Sequence, residues 1–124
     1  MATSNKKRII LVEDDNSTAK VVKLMLEVDG YEVELAKDGE KAIKALEQPA
    51  DLVLLDLVMP KMDGFEVLRV IRKEKKLKLP VIVFSNLSRQ KDIEKAESLG
   101  ASDYLVKSEF SAARLKEKIK KFFN

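Results

Sequence analysis

Four apolar runs of the chain each end in a polar residue whose side chain could do chemistry. The runs are residues 9–12, 52–55, 81–84 and 104–106, and the polar residues that follow them are Glu13 with Asp14, Asp56, Ser85 and Lys107. Apolar runs of this length are typical of buried strands in a parallel sheet. In such a sheet, ligands bind outside the carboxyl ends of the strands, so these residues predict one shared site. Three carboxylates, a hydroxyl and an ammonium group suit a divalent cation and a phosphoryl group.

Each of these residues also has an ordinary structural explanation. Taken singly, they are explained as a helix cap (Asp14, Asp15 or Asn16), a turn former (Asp56), a hydroxyl bonded to its own loop (Ser85) and a lysine reaching solvent at the rim (Lys107). Together they are harder to explain in this way. A lysine at the end of an apolar strand is costly unless it meets an anion. Three clustered acids repel one another unless a cation lies among them.

Composition limits the chemistry further. With 124 residues and a mass of 14.0 kDa, the chain is expected to form a single domain over residues 1–124. It contains no cysteine and no histidine, which excludes disulfides, thiolate or imidazole metal sites and the usual general base. Any metal must therefore be held by oxygen, which favours Mg²⁺, with Mn²⁺ also possible.

The sequence shows no targeting signal, so a cytoplasmic protein is expected, and its basic stretches do not indicate a particular partner. The sequence has no signal-peptide region and no apolar run long enough to span a bilayer, so membrane insertion is not expected. The formal charge is +3, and residues 72–78 and 116–121 are locally basic. Neither stretch has the aromatic interleaving of a nucleic-acid surface, so we expect solvated helix ends and no direct nucleic-acid contact.

Strand and helix patterns alternate five times along the chain. Strands are predicted at 7–12, 31–36, 52–56, 81–85 and 102–107. Helices are predicted at 16–28, 89–99 and 109–123, and two more carry Ala42, Ile43 and Leu46 and then Val67, Leu68 and Ile71. The second strand alternates apolar and charged residues, which predicts an edge or half-exposed position. Five such units predict an α/β fold with a doubly wound parallel sheet and helices on both faces.

Several motifs occur in a fixed order at characteristic intervals, at residues 9–14, 51–60, 63–64, 80–85 and 100–107. With this ordered set the chain resembles a response-regulator receiver domain, similar to the chemotaxis regulator CheY, over essentially its whole length. A lone Asp-x-x-Met-Pro at residues 56–60 would be weak evidence, whereas the full set is specific. The resemblance implies a flavodoxin-like sheet of five parallel strands in the order 2-1-3-4-5, with five helices.

The resemblance also implies roles for the clustered residues. Asp56 is the nucleophile that accepts a phosphoryl group and becomes an aspartyl phosphate. Asp14, Asp56 and the backbone carbonyl of Val58 are expected to coordinate Mg²⁺ directly, with Glu13 acting largely through water. Lys107 is expected to pair with Asp56 before phosphorylation and with the phosphoryl oxygens afterwards. Such a site works by electrostatic stabilisation of the transferring group rather than by acid–base chemistry.

Two further pairs of residues are implicated in switching and in signal lifetime. Ser85 would contact the phosphoryl group, and its inward movement would be followed by Tyr104 on the fifth strand. The ordinary alternative for Tyr104 is an edge aromatic with an apolar body and a wet hydroxyl. Val58 and Leu87 occupy the positions that tune hydrolysis in the family. Both are apolar and cannot orient a water molecule, so slow autodephosphorylation is expected.

Two residues depart from the family pattern. Ser108 follows the lysine where the family usually has a proline in a cis peptide, so a trans peptide and a differently shaped loop are expected there. Ser108 would also cap the last helix, with Ser111 as the competing cap. Asn86 stands where a small residue is usual, which would narrow access to the phosphoryl group.

These observations predict a signalling switch rather than an enzyme with a separate substrate. Its partners would be a sensor histidine kinase or a histidine phosphotransfer protein, and a target on the face formed by the fourth helix, fifth strand and last helix. The chain is expected to be a monomer or a phosphorylation-dependent dimer. An aspartyl phosphatase is disfavoured because Val58 occupies the place of its second acid. A phosphorylation-independent binding module and a receiver fragment of a longer regulator remain alternatives.

Overall fold

Five parallel strands and five helices alternate along the chain in the computed structural model, which describes residues 6–123. The elements are β1 Arg8–Val12, α1 Asn16–Val28, β2 Glu32–Ala36, α2 Gly39–Ala45, β3 Leu52–Leu55, α3 Gly64–Arg69, β4 Val81–Ser85, α4 Gln90–Ser98, β5 Asp103–Val106 and α5 Ala112–Lys120. A π-helical segment, Val70–Glu74, continues α3, and a 3-10 turn, Lys107–Glu109, precedes α5. The strand order is β2-β1-β3-β4-β5, so the predicted α/β fold and its 2-1-3-4-5 order are confirmed.

The position of each strand in the sheet follows from its sequence pattern. All residues of β3 and β4 are buried, as expected for central strands with helices on both faces. In β2, Val33 and Ala36 are buried whereas Glu32 and Glu34 are exposed, and this strand is an edge, as predicted. The register places Val12 beside Leu55 and Ala36, which brings the ends of β1 and β3 to the same level.

Two apolar layers hold the helices against the sheet. One layer packs α2, α3 and α4 on one face and includes Ala42, Leu68 and Ala96. The other packs α1 and α5 on the opposite face and includes Leu26 and Leu115. Each fully buried leucine contributes about 1.5–3 kcal/mol of transfer free energy. These two layers therefore hold the sheet, and with it the residues at the ends of its strands, in place.

Four of the helices that start at the carboxyl edge of the sheet have a polar N-cap residue. The residues Asp15, Asp38, Asp63 and Ser111 are the N-caps of α1, α2, α3 and α5, and each side chain accepts a hydrogen bond from a backbone amide three residues later. The predicted start of the last helix at Glu109 was wrong. Because Ser111 is the cap, α5 begins at Ala112, and Ser108 lies in the 3-10 turn.

Some predicted boundaries differ by one residue. Lys107 opens the 3-10 turn and is not the last residue of β5.

Gly30 and Gly100 follow α1 and α4 with φ of +93° and +105°, where glycine is favoured. Among residues 6–123 every peptide bond is trans, in line with the expectation for the Lys107–Ser108 bond. None of the helices in that range has the length and apolar character needed to cross a lipid bilayer.

Candidate functional site

A cleft of about 380 Å³ opens at the carboxyl ends of β1, β3 and β4. Its lining residues are Glu13, Asp14, Asp15, Thr18, Asp56, Val58, Asn86 and Lys107. The apolar strands are responsible for this convergence, because each emerges from the core at the same edge of the sheet. The structure therefore brings together the predicted acids, the lysine and Val58.

Three of the acids form one cluster. Carboxylate oxygens of Glu13, Asp14 and Asp56 all lie within 4.8 Å of one another. Glu13 is 1% exposed and Asp56 is 5% exposed, whereas Asp14 faces solvent. Two buried carboxylates and an exposed one at this separation repel one another, so the cluster attracts cations.

Asp15 belongs to the helix rather than to the acid cluster. Its Oδ2 accepts hydrogen bonds from the amide of Thr18 (2.8 Å) and from the Thr18 hydroxyl (2.6 Å). These two bonds lower the pKa of Asp15. Its own amide donates to Oε2 of Glu13 (3.1 Å), which orients that carboxylate. The sequence left Asp14, Asp15 and Asn16 as alternative caps, and the geometry selects Asp15.

Lys107 joins two of the acids. Its Nζ lies 2.6 Å from Oε1 of Glu13, as an ion pair without hydrogen-bond alignment, and donates to Oδ2 of Asp56 at 3.0 Å. Burial alone would lower the pKa of Lys107, but the contacts with Glu13 and Asp56 outweigh it and raise the pKa. For Glu13, burial is the larger influence and raises the pKa of its carboxyl despite the lysine. The lysine is thus held as a cation.

Asp56 is oriented from both sides. Its Oδ1 accepts a hydrogen bond from the amide of Val58 (3.1 Å), and its Oδ2 accepts the one from Lys107. The Asp56 amide donates to the carbonyl of Val12 in β1 (3.1 Å), which ties the residue to the sheet. The Val58 side chain is 54% exposed at the cleft. Asp56 is therefore a fixed carboxylate at the floor of an open cleft.

Ser85 and Tyr104, the predicted switch residues, are not among the residues that line the cleft, and they are linked to each other through Leu87. Ser85 is fully buried, and its hydroxyl accepts a hydrogen bond from the amide of Leu87 (3.3 Å). The Tyr104 hydroxyl donates to the Leu87 carbonyl (2.6 Å). Asn86 lines the cleft at this strand end, and the narrowed access expected from its side chain stays a prediction. The role of Leu87 as the link could not be found from its side chain, because only its backbone takes part.

Two site residues were missed from the sequence. Thr18 lines the cleft and donates its amide and its hydroxyl to the cap residue Asp15, and the spacing of three residues between them is the available signal. Gly64 packs against the backbone of Asp56, and no local pattern indicates this contact because the two residues lie on opposite sides of a loop.

The donor set fits a hard divalent cation. It consists of carboxylate oxygens only, two of them on residues almost withdrawn from solvent, and the chain has neither histidine nor cysteine. Mg²⁺ prefers such oxygen ligands and keeps several of its waters, so a cluster of three acids in an open cleft is sufficient. Thiolate and imidazole ligands, which softer metals prefer, are lacking because the chain has neither cysteine nor histidine.

A family profile for the response regulator receiver domain matches residues 9–120. The chain belongs to this family. Curated relatives support the assignment. The probable transcriptional regulator ycf27 of Cyanophora paradoxa is 41% identical over 118 residues, which are 94% of this chain and 48% of that protein. The alkaline phosphatase synthesis transcriptional regulatory protein PhoP of Bacillus subtilis is 36% identical over 115 residues, covering 92% of this chain and 47% of the relative. The receiver domain thus spans about half the length of these curated relatives.

Solved receiver structures have the same architecture. A CheY-like response regulator receiver domain protein from Methanospirillum hungatei superposes with a TM-score of 0.88 at 30% identity, covering 94% of this chain and 93% of that one. The response regulator TrrA from Thermotoga maritima, solved in complex with Mg²⁺-BeF, gives a TM-score of 0.83 at 38% identity, with coverage of 94% and 98%. The receiver identity and fold are therefore supported both by sequence and by structure.

Proposed function

We propose that this receiver domain is a signalling switch that is phosphorylated on Asp56 in a Mg²⁺-dependent reaction. The observation that carries the proposal is the position of the Asp56 carboxylate at the cleft floor, fixed by the Val58 amide on one oxygen and by Lys107 on the other. A nucleophile must be both accessible and oriented, and the cleft provides both.

The transfer step requires no proton movement at the nucleophile. A carboxylate oxygen of Asp56 forms a bond to phosphorus, the bond between phosphorus and the donor breaks, and the leaving group keeps that electron pair. Lys107 lies within hydrogen-bond distance of Asp56 and supplies positive charge to the phosphoryl oxygens as they approach. The lack of histidine in the chain is compatible with this chemistry.

A bound Mg²⁺ would supply positive charge to the phosphoryl oxygens during the transfer. Asp14 and Asp56 would hold it directly with the carbonyl of Val58, and Glu13 would act through water. Glu13 is also the second partner of Lys107, so it fixes the lysine on the side of the cleft where Asp56 lies. Mn²⁺ would satisfy the same oxygen donors.

The switch would operate through Ser85 and Tyr104. A phosphoryl group on Asp56 offers the Ser85 hydroxyl a charged acceptor, which is a stronger partner than the amide of Leu87. Movement of Ser85 would disturb Leu87 and with it the acceptor of the Tyr104 hydroxyl. The equilibrium of the protein between two arrangements of α4 and the adjoining loop would then shift. A target protein that binds the α4–β5–α5 face would distinguish the two arrangements.

Signal lifetime is expected to be long. Val58 lines the cleft, and Leu87 is the next residue after Asn86, which also lines it. Neither the Val58 nor the Leu87 side chain can donate or accept a hydrogen bond to position an attacking water. Autodephosphorylation should therefore be slower than in a chemotaxis-type receiver, as measured by phosphate release from the phosphorylated protein. A rate equal to or above that of a chemotaxis-type receiver would contradict this part of the proposal.

The proposed partners are those of a phosphotransfer system. A sensor histidine kinase or a histidine phosphotransfer protein would donate the phosphoryl group. We propose residues 1–124 as one receiver domain acting in the cytoplasm, as a monomer or as a dimer formed on phosphorylation. Curated relatives of about twice the length are named as transcriptional regulators, so the absence of nucleic-acid contact stays a prediction.

The proposal is tested by incubating the protein with acetyl phosphate and Mg²⁺ and measuring its intact mass. The wild type should gain one phosphoryl group, and neither Asp56→Asn nor the wild type with excess chelator should gain any. If the wild type gains none, the chain is better described as a phosphorylation-independent binding module. A gain that survives in Asp56→Asn would place the phosphoryl group on a different residue.

A second candidate is a receiver unit of a longer regulator. It is favoured by the coverage of the curated relatives, of which this chain matches about half. The chemistry at Asp56 would be the same, and the readout would pass to another domain. Comparing the phosphorylation rate and oligomeric state of this chain with those of its full-length gene product distinguishes the two.

A further inference from the structure

Gly64, the first residue of α3, lies directly against the backbone that carries Asp56. A Cβ atom on this residue would lie 2.3 Å from the carbonyl oxygen of Asp56 and 2.6 Å from Cα of Leu57. A Cβ essentially never approaches another heavy atom closer than 3.0 Å, so any side chain here would force backbone to move. The Gly64 amide also donates to the carbonyl of Leu57 (3.0 Å). The start of α3 and the segment after β3 are therefore in direct contact.

Backbone conformation does not account for the glycine at this position. Gly30 and Gly100 have positive φ, which glycine adopts at no steric cost, but Gly64 does not. Helix propensity does not account for it either, because glycine is among the least favourable residues in a helix. The remaining physical reason for glycine is space, and the neighbours that occupy this space are the main-chain atoms of Asp56 and Leu57.

An added side chain would displace the loop more easily than the helix. Val67 and Leu68 of α3 are completely buried, as is Ile71 just beyond it, and they anchor this helix in the core. Asp56 and Leu57 are buried as well, but the backbone directly after them reaches the open cleft at Val58, whose side chain is 54% exposed. The cleft is the side on which the contact can widen from 2.3 Å to at least 3.0 Å, so we expect residues 56–58 to move toward it.

From these contacts we infer that Gly64 is a positioning residue for the site. Its lack of a side chain sets the position of the Asp56–Leu57 peptide, and through that peptide the positions of the Asp56 carboxylate and the Val58 carbonyl. The hydrogen bond from the Val58 amide to Oδ1 of Asp56 makes the two residues move together. The inference rests on the proposed function, in which both residues hold Mg²⁺. Mg²⁺ demands near-ideal octahedral geometry, so a small displacement of two ligands weakens binding.

Gly39 offers a matched control within the same chain. Like Gly64, it is buried and directly follows an aspartate N-cap, which is Asp38. A Cβ on Gly39 would lie 2.9 Å from Sδ of Met62 and 2.9 Å from a methyl carbon of Val67, which are side-chain atoms outside the cleft. Gly39→Ala therefore introduces crowding at the same helix position, but against side chains and not against the backbone of Asp56 and Leu57.

The test compares Mg²⁺ affinity with stability in Gly64→Ala, Gly39→Ala and the wild type. Calorimetric titration with MgCl₂ should show about 10–100-fold weaker binding in Gly64→Ala, the loss typical of disturbed ligand positioning. Gly39→Ala should bind as the wild type does, and urea unfolding should show both variants folded. Unchanged affinity in Gly64→Ala would overturn the inference. So would an unfolded Gly64→Ala beside a folded Gly39→Ala, because Gly64 would then serve the fold rather than the site.

A third variant separates position from helix stability. Asp63→Ala removes the cap of α3 without adding an atom against Asp56. It should unfold at lower urea concentration and keep the wild-type Mg²⁺ affinity. A loss of affinity equal to that of Gly64→Ala would show that the site depends on the stability of α3, which would contradict the inference.

A separate measurement distinguishes failure of this inference from failure of the proposed function. If the wild type itself does not bind Mg²⁺, the proposed function fails. Crystal structures of metal-free wild type and Gly64→Ala still decide the role of Gly64. The carbonyl of Val58 should be displaced in the variant while Leu68 keeps its position. An unmoved 56–58 backbone with a shifted α3 would overturn the inference.

Discussion

The hydroxyl of Tyr104 on β5 donates a hydrogen bond to the backbone carbonyl of Leu87 at 2.6 Å. The amide of the same residue donates to the hydroxyl of Ser85 at 3.3 Å. The two peptide units that flank Leu87 therefore connect Ser85 with Tyr104, the two residues that the family resemblance assigns to the switch. Because both contacts are to backbone, the connection depends on the loop conformation and not on the identity of the Leu87 side chain.

Tyr104 is predicted to ionise far above the ordinary range of tyrosine. Burial raises its pKa to about 12, with further contributions from the charges of Asp92 and Asp56. The folded state then keeps a proton that the unfolded state loses above pH 10.0. Stability from this group is complete below that pH and is lost as pH rises toward about 12.

The measurement is an absorbance titration of tyrosinate in the wild type and in Tyr104→Phe. The chain has two tyrosines, so the difference between the two curves isolates Tyr104 from Tyr31. The difference should rise with a midpoint near pH 12. A midpoint at the ordinary value of 10.0 would show that the Tyr104 hydroxyl is not buried near the carboxylates of Asp92 and Asp56 in solution.

Asp14→Asn is expected to change stability and metal affinity in opposite directions. Asp14 is exposed, and its carboxylate lies within 4.8 Å of those of Glu13 and Asp56. Removing its charge relieves repulsion in the metal-free protein, so urea unfolding without Mg²⁺ should require more denaturant. Mg²⁺ binding should weaken by about tenfold or more, because a proposed ligand is lost.

The matched control for this variant is Asp38→Asn, which changes an aspartate that caps α2 away from the cleft. It should leave Mg²⁺ affinity unaltered. The stabilisation in Asp14→Asn should shrink at high salt, since exposed charges are screened. A metal-free Asp14→Asn that is less stable than the wild type would contradict the repulsion argument.

Most of the fold could be predicted from the sequence because its strands are unusually clear. The fully apolar β3 and β4 have the pattern of central parallel strands, and the alternating β2 has that of an edge. The start of α5 could not be predicted as well, because Ser108 and Ser111 are both good caps and only the three-dimensional path of the loop selects Ser111. Intrinsic preference does not distinguish two serines three residues apart.

Contacts to backbone explain what remained unpredictable in and around the site. The grouping of acids and lysine follows from strand ends, which the sequence displays. The link through Leu87 and the close approach of Gly64 to Asp56 involve main-chain atoms that any residue carries. Arg72, which lies outside the cleft, is a further case, because its guanidinium donates to the carbonyls of Gly100, Leu77 and Leu79. Such contacts leave no side-chain pattern to detect.

Asp103 should make stability depend on acid pH. Burial raises the pKa of its carboxyl, but contacts with Lys121, the Tyr104 amide and Lys118 outweigh it and lower the pKa below the ordinary 3.8. A lowered folded-state pKa contributes stability above the unfolded value, and this contribution is lost as pH falls through the folded value. Urea unfolding of wild type and Asp103→Asn should therefore differ at pH 6 and converge on acidification below the ordinary 3.8. A difference that stays constant with pH would show that the charge of Asp103 contributes nothing.

Val58→Asn should shorten the lifetime of the phosphorylated state. Val58 is exposed at the cleft beside Asp56, and its side chain offers no hydrogen bond to water. An asparagine amide at this position could orient a water molecule toward the phosphoryl group, and release of phosphate should rise by about tenfold or more. Val58→Ala is the matched control, because it opens the cleft without adding a polar group. Equal acceleration of phosphate release in Val58→Ala and Val58→Asn would contradict this prediction. Hydrolysis would then be limited by the access of water to the cleft and not by the lack of a group that orients the water.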